Sequence, residues 1–141
     1  MSQYIQGIVV GLRAASPRGT QEVGIKTDVK NISLGINAAL ACGLIVNELV
    51  TNSLKHAFPG GREGEIVVIL KPVDGEEFQL TVHDNGIGMP EHVDLQQPES
   101  LGLDLVANLT RQLDGTIEFA TGEGTEFRIR FVEQTSKSGS H

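Results

Sequence analysis

The order of apolar periodicities along the chain predicts an α/β fold: a two-layer sandwich in which helices cover one face of a mixed, mostly antiparallel sheet. Three observations carry this prediction. Strand-like stretches come in pairs joined by glycine-containing turns, at Asp74-Gly75 and at Gly122-Glu123-Gly124, which favours antiparallel hairpins. Longer stretches with the helical period lie between and before those pairs. This order of helices and hairpins does not suit a doubly wound parallel sheet. With 141 residues, 39% hydrophobic and 21% charged, the chain has the size of one ordinary domain and can bury a core.

Taken in order, residues 2 to 15 read as a short helix with Ile5, Ile8, Val9 and Leu12 on one side, before a break at Ser16-Pro17-Arg18-Gly19. Val23, Ile25, Thr27 and Val29 alternate as a strand. From about Gly35 to Phe58 the apolar period is helical, and Pro59-Gly60-Gly61 is the chemistry of a sharp stop. Glu65 to Lys71 reads as a buried strand through Ile66-Val67-Val68-Ile69-Leu70, with Glu77 to His83 as its hairpin partner. Residues 86 to 99 mix Gly, Pro and acidic residues with little period, the composition of a mobile lid over a ligand. A helix from about Ser100 to Leu113 follows, with Leu101, Leu105, Leu109 and Leu113 at helical spacing, Ser100 as cap and Asp104 in the first turn. Asp114-Gly115 ends it. Thr116 to Thr121 and Thr125 to Val132 are the last two strands. Residues 1–19 are expected to be the end of a connecting helix, 20–132 the domain, and 133–141 a disordered tail, partly foreign to the protein.

Composition narrows the function. A net charge of -7, with Lys and Arg scattered, argues against a nucleic-acid surface, so any phosphate must be gripped locally. The single cysteine, Cys42, lies in an apolar run and reads as a buried inert thiol, which fits a cytoplasmic location. No apolar run reaches membrane-spanning length and no charged start of a secretion signal is present, so no direct membrane contact is expected. His56, His83 and His92 share no metal spacing, and no Walker loop or serine elbow occurs.

The run Asp84-Asn85-Gly86-Ile87-Gly88-Met89-Pro90 is the first candidate site. Alternation places Phe78, Leu80, Val82 and Asp84 on one inward face, so a carboxylate ends an apolar row. Such a group needs donors, and an adenine amino group is a suitable one; Gly86 and Gly88 let backbone approach a flat ligand closely. Asp-Asn-Gly is also a strong hairpin-turn signal, although Ile87-Gly88-Met89-Pro90-Glu91 makes a poor return strand. Within the long helix, Glu48, Asn52 and Lys55 fall within an arc of roughly 60°, opposite Val46, Leu49, Val50 and Leu54. That stripe suits either a cation with a triphosphate or an ordinary solvated helix face. In the first case the Asn52 oxygen is a hard ligand for Mg2+, Lys55 meets a phosphate, and Glu48 orients or deprotonates a nucleophile. Thr125 can send its hydroxyl toward Asp84, or simply open a strand. Gly102 can let helix-terminal amides approach phosphate.

Together, Asn47 to Phe58, Asp84 to Pro90, Ser100 to Val106 and Gly124-Thr125-Glu126-Phe127 resemble, in order and spacing, the boxes of the histidine-kinase ATPase domain. The resemblance spans about residues 20 to 132 and implies the Bergerat ATP-binding fold shared with gyrase, Hsp90 and MutL. Within that family the chain looks closest to sensor kinases whose helix carries Asn47-Glu48, Asn52 and Lys55-His56. Carried over, Asn52 is the Mg2+ ligand, Lys55 a phosphate contact and Glu48 a catalytic residue near the γ-phosphate, with Asn47 and His56 in the same box. Asp84 accepts from the adenine amino group, Gly86, Gly88 and Met89 shape the pocket, and Thr125 supports that end. Gly102 and Leu103 belong to the second glycine box after the lid.

Two departures stand out. The usual Gly-x-Gly before that second box is reduced to Glu99-Ser100-Leu101-Gly102, which leaves fewer permissive backbone positions. No histidine-bearing hairpin precedes residue 20, so the acceptor is expected on a separate dimerising domain, and this chain on its own as a monomer. The expected function is the ATP-binding catalytic domain of a two-component sensor histidine kinase, with a response regulator as the later phosphate acceptor. An anti-sigma-type serine kinase and a nucleotide-binding module without phosphotransfer are the alternatives.

Overall fold

A computed structural model of the chain describes residues 5, 7–8, 10–11, 23–29, 34–56, 64–73, 77–86, 103–121 and 124–132. The elements follow as β1 (Val23–Val29), α1 (Ile36–His56), β2 (Gly64–Pro72), β3 (Glu77–Asp84), α2 (Leu103–Gln112), β4 (Thr116–Thr121) and β5 (Thr125–Val132). Ile5, Gly7, Ile8, Val10 and Gly11 are also helical, with Ile5 in the core and Ile8 packed at its edge. The sheet runs β1-β2-β3-β5-β4. β1 lies parallel to β2 and every other pair is antiparallel, so the sheet is mixed and mostly antiparallel as expected.

Strand register lines the inward side chains into rows. Leu70, Leu80 and Ile129 form one, and Val68, Val82 and Phe127 the next. The last row is Ile66, Asp84 and Thr125, so the apolar face ends in two adjacent polar residues on neighbouring strands. On the opposite face the strands carry ion pairs, Lys26 with Glu65 at 3.1 Å and Arg128 with Glu126 at 3.0 Å. A sheet apolar on one side and charged on the other requires its helices on one face only.

The long helix α1 buries Ala41, Cys42, Ile45, Val46, Leu49, Val50 and Leu54, with Glu48 and Asn52 half-buried toward the edge of that side. Each Ile, Val or Leu among them contributes about 1.5–3 kcal/mol on burial. Ile36, Leu40 and Leu44 remain exposed along its first half. α2 turns Val106 and Leu109 inward, followed by Leu113, while Leu105 is 38% exposed. The leucine spacing therefore misjudged the face by one position: at about 100° per residue, the stripe through Val106, Leu109 and Leu113 leaves Leu105 on the flank. Leu101 lies outside the described residues.

α2 is capped at Asp114-Gly115, as its sequence predicts. Gly115 N–H donates to Thr110 O at 3.0 Å and Asp114 N–H to Arg111 O at 2.9 Å, the paired bonds of a Schellman cap. It is Asp114, with φ of 54°, that takes the left-handed position. Gly115 is required instead by closeness, since a Cβ there would lie 2.3 Å from Arg130 O.

Candidate functional site

Asp84 ends β3 at the margin of the inward face and is 3% exposed. A carboxylate placed there is tolerated only if donors meet it. Ser53 Oγ on α1 donates to Oδ2 at 2.7 Å, and Gly86 N–H donates to Oδ1 at 2.9 Å. Both donors are neutral. A carboxylate has about four lone-pair positions, so among the described residues these two bonds leave roughly two for a ligand donor.

Three further contacts hold this corner. Asn85 bonds back to β2 twice, its N–H donating to Glu65 O at 3.2 Å and its Oδ1 accepting from Glu65 N–H at 2.8 Å. Thr125 is 5% exposed and stands directly across from Asp84 in the β3–β5 register. Gly124, just before it, has φ of 146°, and a Cβ there would meet Asp84 O at 2.2 Å. The backbone of the last hairpin thus presses against the end of β3. The hairpin-turn alternative for Asp84-Asn85-Gly86 fails on topology: β3 is already flanked by β2 and β5, so no return strand can pair beside it.

The Ser53 bond also ties α1 to this corner. Asn52 precedes Ser53, so its Cα lies about 3.8 Å along the chain from that of the residue touching Asp84. Glu48 sits one turn, about 6 Å, further up the same helix. Asn47, Glu48 and Asn52 are each half-buried. The structure therefore brings together Asp84, Gly86, Thr125 and the segment bearing Glu48 and Asn52. Lys55 and His56 are helical, but their side chains fall outside the described residues, as do Gly88, Met89, Gly102 and the side chain of Leu103.

Among the described residues no group of three or more His, Cys, Asp or Glu could hold a metal ion. The donor set fits a hard divalent cation that takes most of its ligands from phosphate oxygens and water, with one amide oxygen from the protein. Among the described residues it does not form a protein cage for a metal.

Three contributors escape a reading of motifs. Ser53 lies on the apolar side of α1, three residues after Val50 and four after Leu49, and a polar side chain there signals a buried partner. Asn85 acts through its side-chain oxygen on β2, a long-range contact that local pattern does not encode. Gly124 was legible as a turn residue opening the last box, but its closeness to Asp84 depends on strand order.

A family model described as histidine kinase-, DNA gyrase B-, and HSP90-like ATPase matches residues 37–135. The blue-light-activated histidine kinase 2 of Erythrobacter litoralis is 28% identical over 122 residues, 86% of this chain and 35% of that protein. The sensor histidine kinase PdtaS of Mycobacterium tuberculosis is 33% identical over 101 residues, 69% of this chain and 20% of that protein. The solved histidine kinase domain of the Erythrobacter litoralis EL346 blue-light-activated kinase superposes with a TM-score of 0.86 at 26% identity, over 96% of this chain and 66% of that one. The chain spans about a third or less of the length of these two curated relatives. With the family model covering most of its length and the fold of a histidine-kinase catalytic domain throughout, the chain belongs to the histidine kinase-, DNA gyrase B- and HSP90-like ATPases.

Proposed function

We propose that this chain is the part of a sensor histidine kinase that holds Mg-ATP and presents its γ-phosphate to a histidine on a separate phosphoacceptor domain, from which the phosphoryl group passes to a response regulator. The observation that carries this reading is Asp84, a buried carboxylate at the edge of the core that is held by two neutral donors with lone pairs to spare. An adenine amino group is the matching donor. The serine-kinase and binding-module alternatives are less favoured, because the relatives that match most of the chain are named as histidine kinases.

In this reading Asp84 accepts from the exocyclic amine, while Thr125 and Gly86 bound the base. Asn52 offers an amide oxygen to Mg2+, and Lys55 contacts phosphate. Bound magnesium supplies charge neutralisation of the phosphates. Glu48, one turn from Asn52, orients the incoming imidazole by accepting its remaining N–H proton. Most of the rate enhancement from such a site comes from positioning and electrostatics, since phosphoryl transfer asks little covalent chemistry of the protein. Gly102, Leu103, Gly88 and Met89 are assigned to the phosphate and lid side, and Asn47 and His56 to the helix box.

Calorimetric titration of Mg-ATP into the chain and into Asp84→Asn, with GTP as the control for base, tests the reading. ATP is expected to bind, GTP not, and the variant to lose about tenfold or more in affinity, the scale of a hydrogen bond to a charged group. Equal binding of ATP and GTP would overturn the adenine assignment. Asn52→Ala is expected to weaken Mg-dependent triphosphate binding more than binding of adenosine, and equal losses would refute its metal role.

A further inference from the structure

Ser53 is half-buried on the side of α1 that carries Leu49 and Val50. Leu49 is 1% exposed and Val50 fully buried on the same side of α1, and a serine among them is a poorer helix former than alanine. A mid-helix serine commonly turns its hydroxyl back onto the carbonyl four residues earlier. This one reaches across 31 residues of sequence to Asp84 Oδ2, at 2.7 Å. Since an ionised carboxylate only accepts, the hydroxyl spends its single proton there.

The second fixed bond comes from the backbone, Gly86 N–H to Oδ1 at 2.9 Å. With one donor on each oxygen, the plane of the carboxylate is set from both sides. The Gly86 bond joins residues two apart in one loop, whereas the Ser53 bond spans from helix to sheet. Among the described residues, the carboxylate without it keeps only the local tether from Gly86 and can turn about its side-chain torsions.

We infer that Ser53 is a positioning residue for base recognition, fixing the Asp84 carboxylate in the orientation that selects a 6-amino purine. The inference rests on the nucleotide reading above. Ser53 does not itself touch the base in this scheme. It acts through Asp84, so its removal affects only ligands that have a 6-amino proton to give.

Titration of Mg-ATP and of the 6-desamino analogue, purine riboside triphosphate, into wild type, Ser53→Ala, Ser53→Thr and Asp84→Asn tests the inference, with circular dichroism to check folding. Wild type should prefer ATP by about tenfold, the scale of one charge-assisted hydrogen bond. Ser53→Ala should bring that preference to within about threefold by weakening ATP and leaving the analogue unchanged. Ser53→Thr, which keeps the hydroxyl, should restore it. An unchanged preference in Ser53→Ala, or equal weakening of both ligands, would overturn the positioning role while leaving the adenine site standing. No preference in wild type would overturn the adenine assignment of Asp84, and the role of Ser53 with it; no binding of either triphosphate would overturn the nucleotide reading.

Discussion

A single methyl group added at Gly124 would set the last hairpin against the residue at the centre of the site. The Cβ of alanine there would lie 2.2 Å from Asp84 O, 3.1 Å from Asn85 Cα and 3.2 Å from Asp84 C. Carbon and oxygen in contact normally stay about 3.2–3.5 Å apart, so the strands must separate by about 1 Å. All three atoms are backbone, and no side-chain rotation relieves the clash. The φ of 146° adds strain for any residue with a Cβ. Overpacking costs about 1–3 kcal/mol and a strained backbone position about 1–3 kcal/mol. Gly124→Ala is therefore expected to lose about 2–6 kcal/mol in urea unfolding, and to weaken Mg-ATP binding under conditions where it remains folded. Gly115→Ala separates the two effects. Its Cβ would lie 2.3 Å from Arg130 O, a similar clash, but Arg130 stands five residues beyond Thr125 along β5, about 17 Å away. That variant should lose stability and, once folded, bind Mg-ATP as wild type does. Wild-type stability and affinity in Gly124→Ala would refute the reasoning, and so would matched affinity losses in the two variants.

Two other expectations follow from packing and from the clamp on β2. Leu49→Ala removes a side chain 1% exposed in the centre of α1 and should cost about 2–5 kcal/mol in urea unfolding; a change below about 1 kcal/mol would show that the helix is not seated as described. Asn85→Ala deprives Glu65 N–H of its 2.8 Å acceptor at an exposed position, so the loss should be about 0.5–1.5 kcal/mol, with faster amide hydrogen exchange at Glu65. Unchanged exchange at that amide would argue against the clamp.

Much of this architecture is legible in the chain because it rests on local period. Ile66, Val68 and Leu70 alternate, as do Leu80, Val82 and Asp84, and both sets point inward in the sheet as their spacing requires. The same alternation is enough to carry Asp84 into the interior. Sequence logic is weaker where two residues compete for one role. Leu105 fits a leucine repeat, yet Val106 takes the core position, because burial depends on where the neighbouring elements lie and not on which residue is largest. Asp114 takes the left-handed cap that Gly115 would ordinarily fill, because Gly115 is needed where the chain passes Arg130.

Periodicity and turn chemistry, which are short-range, thus determined the element order, the one-faced core and the inward carboxylate. What only the tertiary structure decided is what meets that carboxylate. Ser53 lies 31 residues away, and Thr125 on another strand, so their convergence depends on α1 packing across the sheet and on β5 pairing beside β3. Sequence spacing encodes which face a side chain occupies. Strand order and helix docking, set by burial of the whole apolar face at once, determine which faces meet.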